Sequence, residues 1–185
     1  MMAEVASPRP KRDWRRGWGG PILVFVLLFL FSLWYLGVLA QTHILIRETP
    51  VQSYLYQDYS GSYANLSRVR RKMLDTLPEK LRKGASTWTL IESETGSPGK
   101  EKIQARVGIV RNATPPAAWK KGEWPSQRVL QIDVHANPAI AAWKAYAALQ
   151  QWSKNNGIAL RYPLVEMEGP GDRYRLWMPL PSSRP

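Results

Sequence analysis

The chain has 185 residues, with 26 basic against 14 acidic residues for a net charge of +12, and no cysteine. The length fits one domain with an appendage, and the lack of cysteine excludes disulfides, thiolate zinc sites and a cysteine nucleophile. The positive charge is spread along the chain rather than gathered on one segment, so no nucleic-acid partner is expected.

Residues 1–20 form a basic tail with Arg9, Lys11, Arg12, Arg15 and Arg16 against Glu4 and Asp13. No charged residue follows until Arg47. Within that gap, residues 21–40 (PILVFVLLFLFSLWYLGVLA) hold Ser32 as the one clearly polar side chain. Twenty residues at ~1.5 Å each match a hydrocarbon core of roughly 30 Å. Trp14 and Trp18 precede the run, and Trp34 and Tyr35 lie near its far end, as interfacial aromatics do. The pattern predicts one transmembrane helix in a lipid bilayer. The basic flank predicts a cytoplasmic N-terminus and a C-terminal domain on the far side, which in a bacterium is the periplasm facing the inner membrane. A cleaved signal peptide, with Val38 and Ala40 before Gln41, is the competing reading.

Residues 41–50 read as a tether. Residues 51–61 (VQSYLYQDYSG) alternate and read as a strand. Tyr63, Leu66, Val69, Met73, Leu77 and Leu81 then recur at three- and four-residue steps, which predicts a helix that Pro78 kinks or ends. Residues 86–94 and 102–111 read as strands separated by the turn GSPGKE. Residues 112–127 contain three prolines and read as a linker. The order then repeats. A strand over 128–136 is followed by a helix opened by Asn137 and Pro138 and closed at Gly157. Its stripe is Ile140, Trp143, Ala147 and Gln150, widened by Tyr146 and Leu149. Strands over 163–169 and 173–180 end the chain as a hairpin around GPGD. The fold class is α+β, a tandem of β-α-β-β units over 51–111 and 128–181.

The stretches VQSYLYQDYSGSYANLSRVRRKML and NPAIAAWKAYAALQQWSKNNGIALRYPLVEMEG…YRLWMPL resemble the GyrI-like, or effector-binding, domains over roughly residues 44 to 181. In that family a strand ends at Gly before a helix, and a Glu-bearing strand precedes a last strand ending in an aliphatic-Pro-aliphatic triplet. The resemblance implies a pseudo-twofold domain, residues 51–181, with a cleft that binds small molecules. It carries Glu166 over to the family's Glu on the next-to-last strand. Many relatives have a second Glu four residues before the final Pro; here that place is Arg175. The aromatic expected two residues after Glu166 is Glu168.

Alternation puts Arg173, Arg175 and Trp177 on one face of the last strand and Tyr174, Leu176 and Met178 on the other. By the family pattern the first set faces the cleft. With Tyr54, Tyr56, Trp88 and Glu166 it makes the candidate ligand-binding set Tyr54, Tyr56, Trp88, Glu166, Arg175 and Trp177. Arg175 is expected to pair with Glu166, to hold its carboxyl low, and so to favour a neutral or anionic ligand. No metal, cofactor or catalytic set is expected, since His43 and His135 stand apart from any Ser/His/Asp spacing or metal cluster. Two alternatives remain: a non-catalytic scaffold for a membrane-protein partner, and a hydrolase of small electrophiles with Glu166 as base.

Overall fold

A computed structural model of the chain describes residues 19–35, 40–95 and 102–181. These fall into two units, divided between Leu36 and Gly37. The first contains helix α1, Gly19–Tyr35. Its ten residues Ile22 to Phe31 all expose their apolar side chains, and Ser32 returns its hydroxyl to the Leu28 carbonyl at 2.8 Å. The expected span of 21–40 is thus helical from Gly19, two residues early, to Tyr35. Residues 36–39 lie outside those described. Among the described residues no helix is long and apolar enough to cross a membrane; α1 has 17, or roughly 26 Å at 1.5 Å per residue.

The second unit holds β1 (Thr42–Thr49), β2 (Gln52–Ser62), a 3₁₀ turn (Tyr63–Asn65), α2 (Leu66–Asp75), α3 (Glu79–Arg82), β3 (Thr87–Thr95) and β4 (Lys102–Val110). It continues with β5 (Lys120–Trp124), β6 (Gln127–His135), α4 (Pro138–Asn156), β7 (Leu164–Gly169) and β8 (Arg173–Pro179). The six expected strands are present. Two more, β1 and β5, occupy the segments read as tether and linker. All eight form one antiparallel sheet in the order β1-β6-β8-β7-β3-β4-β2-β5. Each unit of the tandem is therefore β-β-α-β-β with its leading strand exchanged. β1 pairs with β6 of the second unit, and β5 pairs with β2 of the first. That exchange keeps the pseudo-twofold order and ties the halves together at both edges.

The helices cover one face. There Ala141, Ala145 and Leu149 of α4 and Leu66 of α2 pack on Ile132, Val134, Val107, Leu176 and Met178. The α4 stripe differs from the expected one: Trp143 is 66 % exposed, while Ala141, Ala145 and Leu149 are fully buried. Alanine at every fourth place lets the helix axis come close to the sheet, which turns the bulky Trp143 outward. Pro78 ends α2 as expected, with extended backbone between α2 and α3. Gly157, at φ +64°, stops α4.

The opposite face carries Tyr54, Trp88, Leu90, Trp124, Val129, Val165, Met167 and Trp177 as a second core. The sheet curls toward this side until its edges touch, and Trp124 Nε1 donates to Thr49 Oγ1 at 3.3 Å. Curling this tight needs a glycine. A Cβ on Gly108 of β4 would stand 1.7 Å from the Leu55 carbonyl oxygen of β2. Gly108→Ala is expected to destabilise the domain by about 2–3 kcal/mol through this backbone clash, measurable as a lowered urea midpoint. An unchanged midpoint would show that the strands can part there without loss.

Candidate functional site

Glu166 sits mid-strand on β7, on the helix-covered face, and is only 3 % exposed. A carboxylate at such depth requires donors. Two tyrosyl hydroxyls supply them: Tyr63 Oη, from the turn before α2, and Tyr146 Oη, from α4, each donate to Glu166 Oε1 at 2.7 Å. The two rings meet edge to face, with centroids 6.2 Å apart. One residue thus joins both halves of the tandem. Burial raises the Glu166 pKa above its usual value, against the lowering effect of the two tyrosines and of Arg70.

Above this carboxyl lies an open groove of about 760 Å³ between α2 and α4, floored by Glu166, Glu168 and Tyr174. Arg70 reaches down from α2 to bond Glu168, and Arg82 bonds Asp75 at 2.9 Å. Tyr174 is buried, and its hydroxyl finds no hydrogen-bond partner among the described residues. A desolvated hydroxyl without a partner costs about 1–3 kcal/mol.

The six residues expected to form one site separate into two places. Glu166 alone lies in the groove. Tyr54, Trp88 and Trp177 come together with Trp124 on the opposite face, as the sealed core described above: Tyr54 stacks on Trp88 at 4.8 Å, and Trp177 meets Trp88 edge-on at 6.0 Å. Tyr56 lies at the rim of this cluster, under the Arg106 guanidinium at 5.2 Å. Arg175 does not pair with Glu166. Its Nε donates to Asp133 Oδ1 at 2.7 Å on the face away from the groove. The register explains this. The three-residue turn 170–172 sets Glu166 across from Leu176 and Met167 across from Arg175, so Glu166 and Arg175 point to opposite sides. The expected exclusion of cations from the Glu166 site loses its basis.

Tyr63 and Tyr146, which bond Glu166, are absent from the expected set, as are the groove residues Arg70, Glu168 and Tyr174. The first two read as members of apolar helix stripes. The signal that could have marked them is a stripe tyrosine facing a strand glutamate, since a buried Glu and a buried Tyr hydroxyl satisfy one another.

No protein-family model matches the chain, and no curated protein matches it. Solved structures do. An integron cassette protein from the mobile metagenome of Vibrio cholerae aligns with TM-score 0.58 at 9 % identity, over 76 % of this chain and 96 % of its own. SAV2435 bound to tetraphenylphosphonium aligns with TM-score 0.55 at 9 % identity, over 76 % and 94 %. The EcmrR C-terminal domain aligns with TM-score 0.53 at 15 % identity, over 76 % and 97 %. At these identities the likeness shows a shared fold, in agreement with the GyrI-like, effector-binding architecture expected from the sequence.

Proposed function

We propose that residues 40–181 form a binding module for a small amphipathic molecule, held in the groove between α2 and α4 with Glu166 as its polar anchor. The observation that carries this is the buried Glu166 carboxyl beneath an open groove, flanked by three tyrosines of which one has a spare hydroxyl. Sites for small ligands join aromatic walls to a few convergent polar groups. An acceptor at the base favours a cation or a neutral hydrogen-bond donor. SAV2435, of the same fold, was solved with tetraphenylphosphonium, which suggests that cation as a probe. Calorimetric titration with tetraphenylphosphonium is expected to saturate, and Glu166→Gln to weaken it about tenfold or more. Neutral triphenylphosphine oxide should bind wild type and variant alike. Absence of tetraphenylphosphonium binding, or equal affinity in Glu166→Gln, would overturn the assignment.

The proposal extends to a membrane anchor around α1. Ten consecutive exposed apolar residues have no stable place in water, and the basic residues precede them. A phosphatase reporter fused after Pro185 in a bacterial host is expected to be active, and a reporter that works only in the cytoplasm to be silent. The reverse pattern would refute the orientation. A second reading, a scaffold for a membrane-protein partner, is favoured by the edge strand β1, whose Ile44, Leu45 and Ile46 are exposed. Such an edge can accept a partner's strand.

A further inference from the structure

Both histidines of the chain lie along one groove, and it is not the Glu166 groove. It has a volume of about 720 Å³ and opens on the sheet face away from the helices. The register makes a row across four strands: His43 of β1 faces Asp133 of β6, Asp133 faces Arg175 of β8, and Arg175 faces Met167 of β7. In a parallel row His135 faces Arg173. Neighbours of this kind have Cβ atoms about 5 Å apart, so two guanidinium and two imidazole groups border one space with a single carboxylate, Asp133, among them.

The Arg175 side chain is held in place from behind. Trp177 Nε1, in the aromatic core, donates to Gln131 Oε1 at 2.9 Å. Gln131 Nε2 donates to Asp133 Oδ2 at 2.5 Å. Asp133 Oδ1 in turn accepts from Arg175 Nε at 2.7 Å. The chain of bonds consumes Nε, and among the described residues neither terminal NH₂ group of Arg175 has a hydrogen-bond partner, which leaves both for a ligand. A guanidinium fixed on one edge offers its other donors at little entropic cost, which is how a binding group is preorganised. Arg173 makes no ion pair among the described residues and is exposed. Leu45 and Met167 supply an apolar wall.

We infer that this groove is a second binding site, taking the phosphate group of an amphipathic molecule between Arg173 and Arg175 with its apolar body along Leu45 and Met167. Four nitrogen-bearing side chains around one space suit the three oxygens of a phosphate better than the two of a carboxylate. The phosphate can belong to a soluble organic phosphate or to an acidic phospholipid.

With two histidines in the chain, the imidazole region of its NMR spectrum holds two sets of signals. The full chain is titrated with phenyl phosphate in phosphate-free, non-ionic micelles, and in parallel placed in nanodiscs with and without phosphatidic acid. Both imidazole signals are expected to move together, to a shared saturation point, in at least one arm. Response to phenyl phosphate assigns a soluble ligand; response to phosphatidic acid alone assigns the lipid. Arg173→Gln, which breaks no ion pair, is expected to weaken the midpoint about tenfold or more, and Arg175→Gln likewise. Silence of both imidazoles in both arms overturns the site. So does a midpoint that Arg173→Gln leaves unchanged while the domain stays folded. Tetraphenylphosphonium binding at Glu166 plays no part in either result.

Discussion

Trp88→Ala is expected to cost about 3–5 kcal/mol, the range for deleting a fully buried Trp. A domain of this size has ~5–15 kcal/mol in total, so the variant should be largely unfolded by mild heating. Trp88 has no exposed surface. It stacks on Tyr54 and takes the edges of Trp124, at 5.9 Å, and Trp177, at 6.0 Å. Removing the indole leaves a cavity walled by three rigid rings that cannot collapse into it. Trp88→Phe should cost much less. It keeps most of the contact area and removes a buried indole N–H that has no partner among the described residues. Urea unfolding of the full chain in mild detergent measures both. The same experiment separates core from ligand site. If Trp88 bound ligand instead, Trp88→Ala would keep its midpoint and lose tetraphenylphosphonium affinity, and the core assignment would fall.

The sequence showed most of the frame and less of the site, and each miss has a local physical cause. Six strands and both main helices follow from period 2 and period 3.6 in side chains that bury one face. β1 and β5 escaped because nothing local demands a strand there. THILIRET runs Ile44, Leu45 and Ile46 together without alternation, and KKGEW is charged with a central Gly. Both are strands because the other half of the tandem offers an open edge in register. The family resemblance singled out Glu166, which lies on the floor of the groove. Its partners Tyr63 and Tyr146 were not visible, because both read as members of apolar helix stripes, and Arg175 was placed beside it because the hairpin was read by strand alternation alone. A turn of three residues pairs residues of equal parity, so Glu166 shares a face with Tyr174 and Leu176 and not with Arg175. Counting the turn would have moved Arg175 to the far side. It would also have turned Arg173, Arg175 and Trp177 from cleft residues into the face that holds the aromatic core and the two histidines.

The paired change Tyr63→Phe with Tyr146→Phe is expected to destabilise the domain at neutral pH by about 3–5 kcal/mol, the cost of stranding a buried charge. Either change alone should cost about 1.5 kcal/mol, since one donor to the carboxylate survives. The effect has a pH signature. Burial raises the Glu166 pKa in the folded state, while the unfolded chain keeps the ordinary value near ~4.3. Between the two the folded state binds the proton more tightly, so Glu166 favours folding below the ordinary value. That contribution is lost as pH rises through the raised one. Both tyrosines oppose the rise by donating to the charged form. Removing them pushes the folded value higher and widens the window in which stability falls. The penalty of the double variant relative to wild type should therefore be small near pH 4 and grow toward neutrality. In a Glu166→Gln background there is no charge to strand. The same two substitutions should then cost about 1–2 kcal/mol together, for two neutral hydrogen bonds, with no dependence on pH. Unfolding midpoints of wild type, the double variant, Glu166→Gln and the triple variant between pH 4 and 8 decide it. A penalty that stays flat with pH, or one equally large in the Glu166→Gln background, would mean the tyrosines act by packing and do not hold the carboxylate.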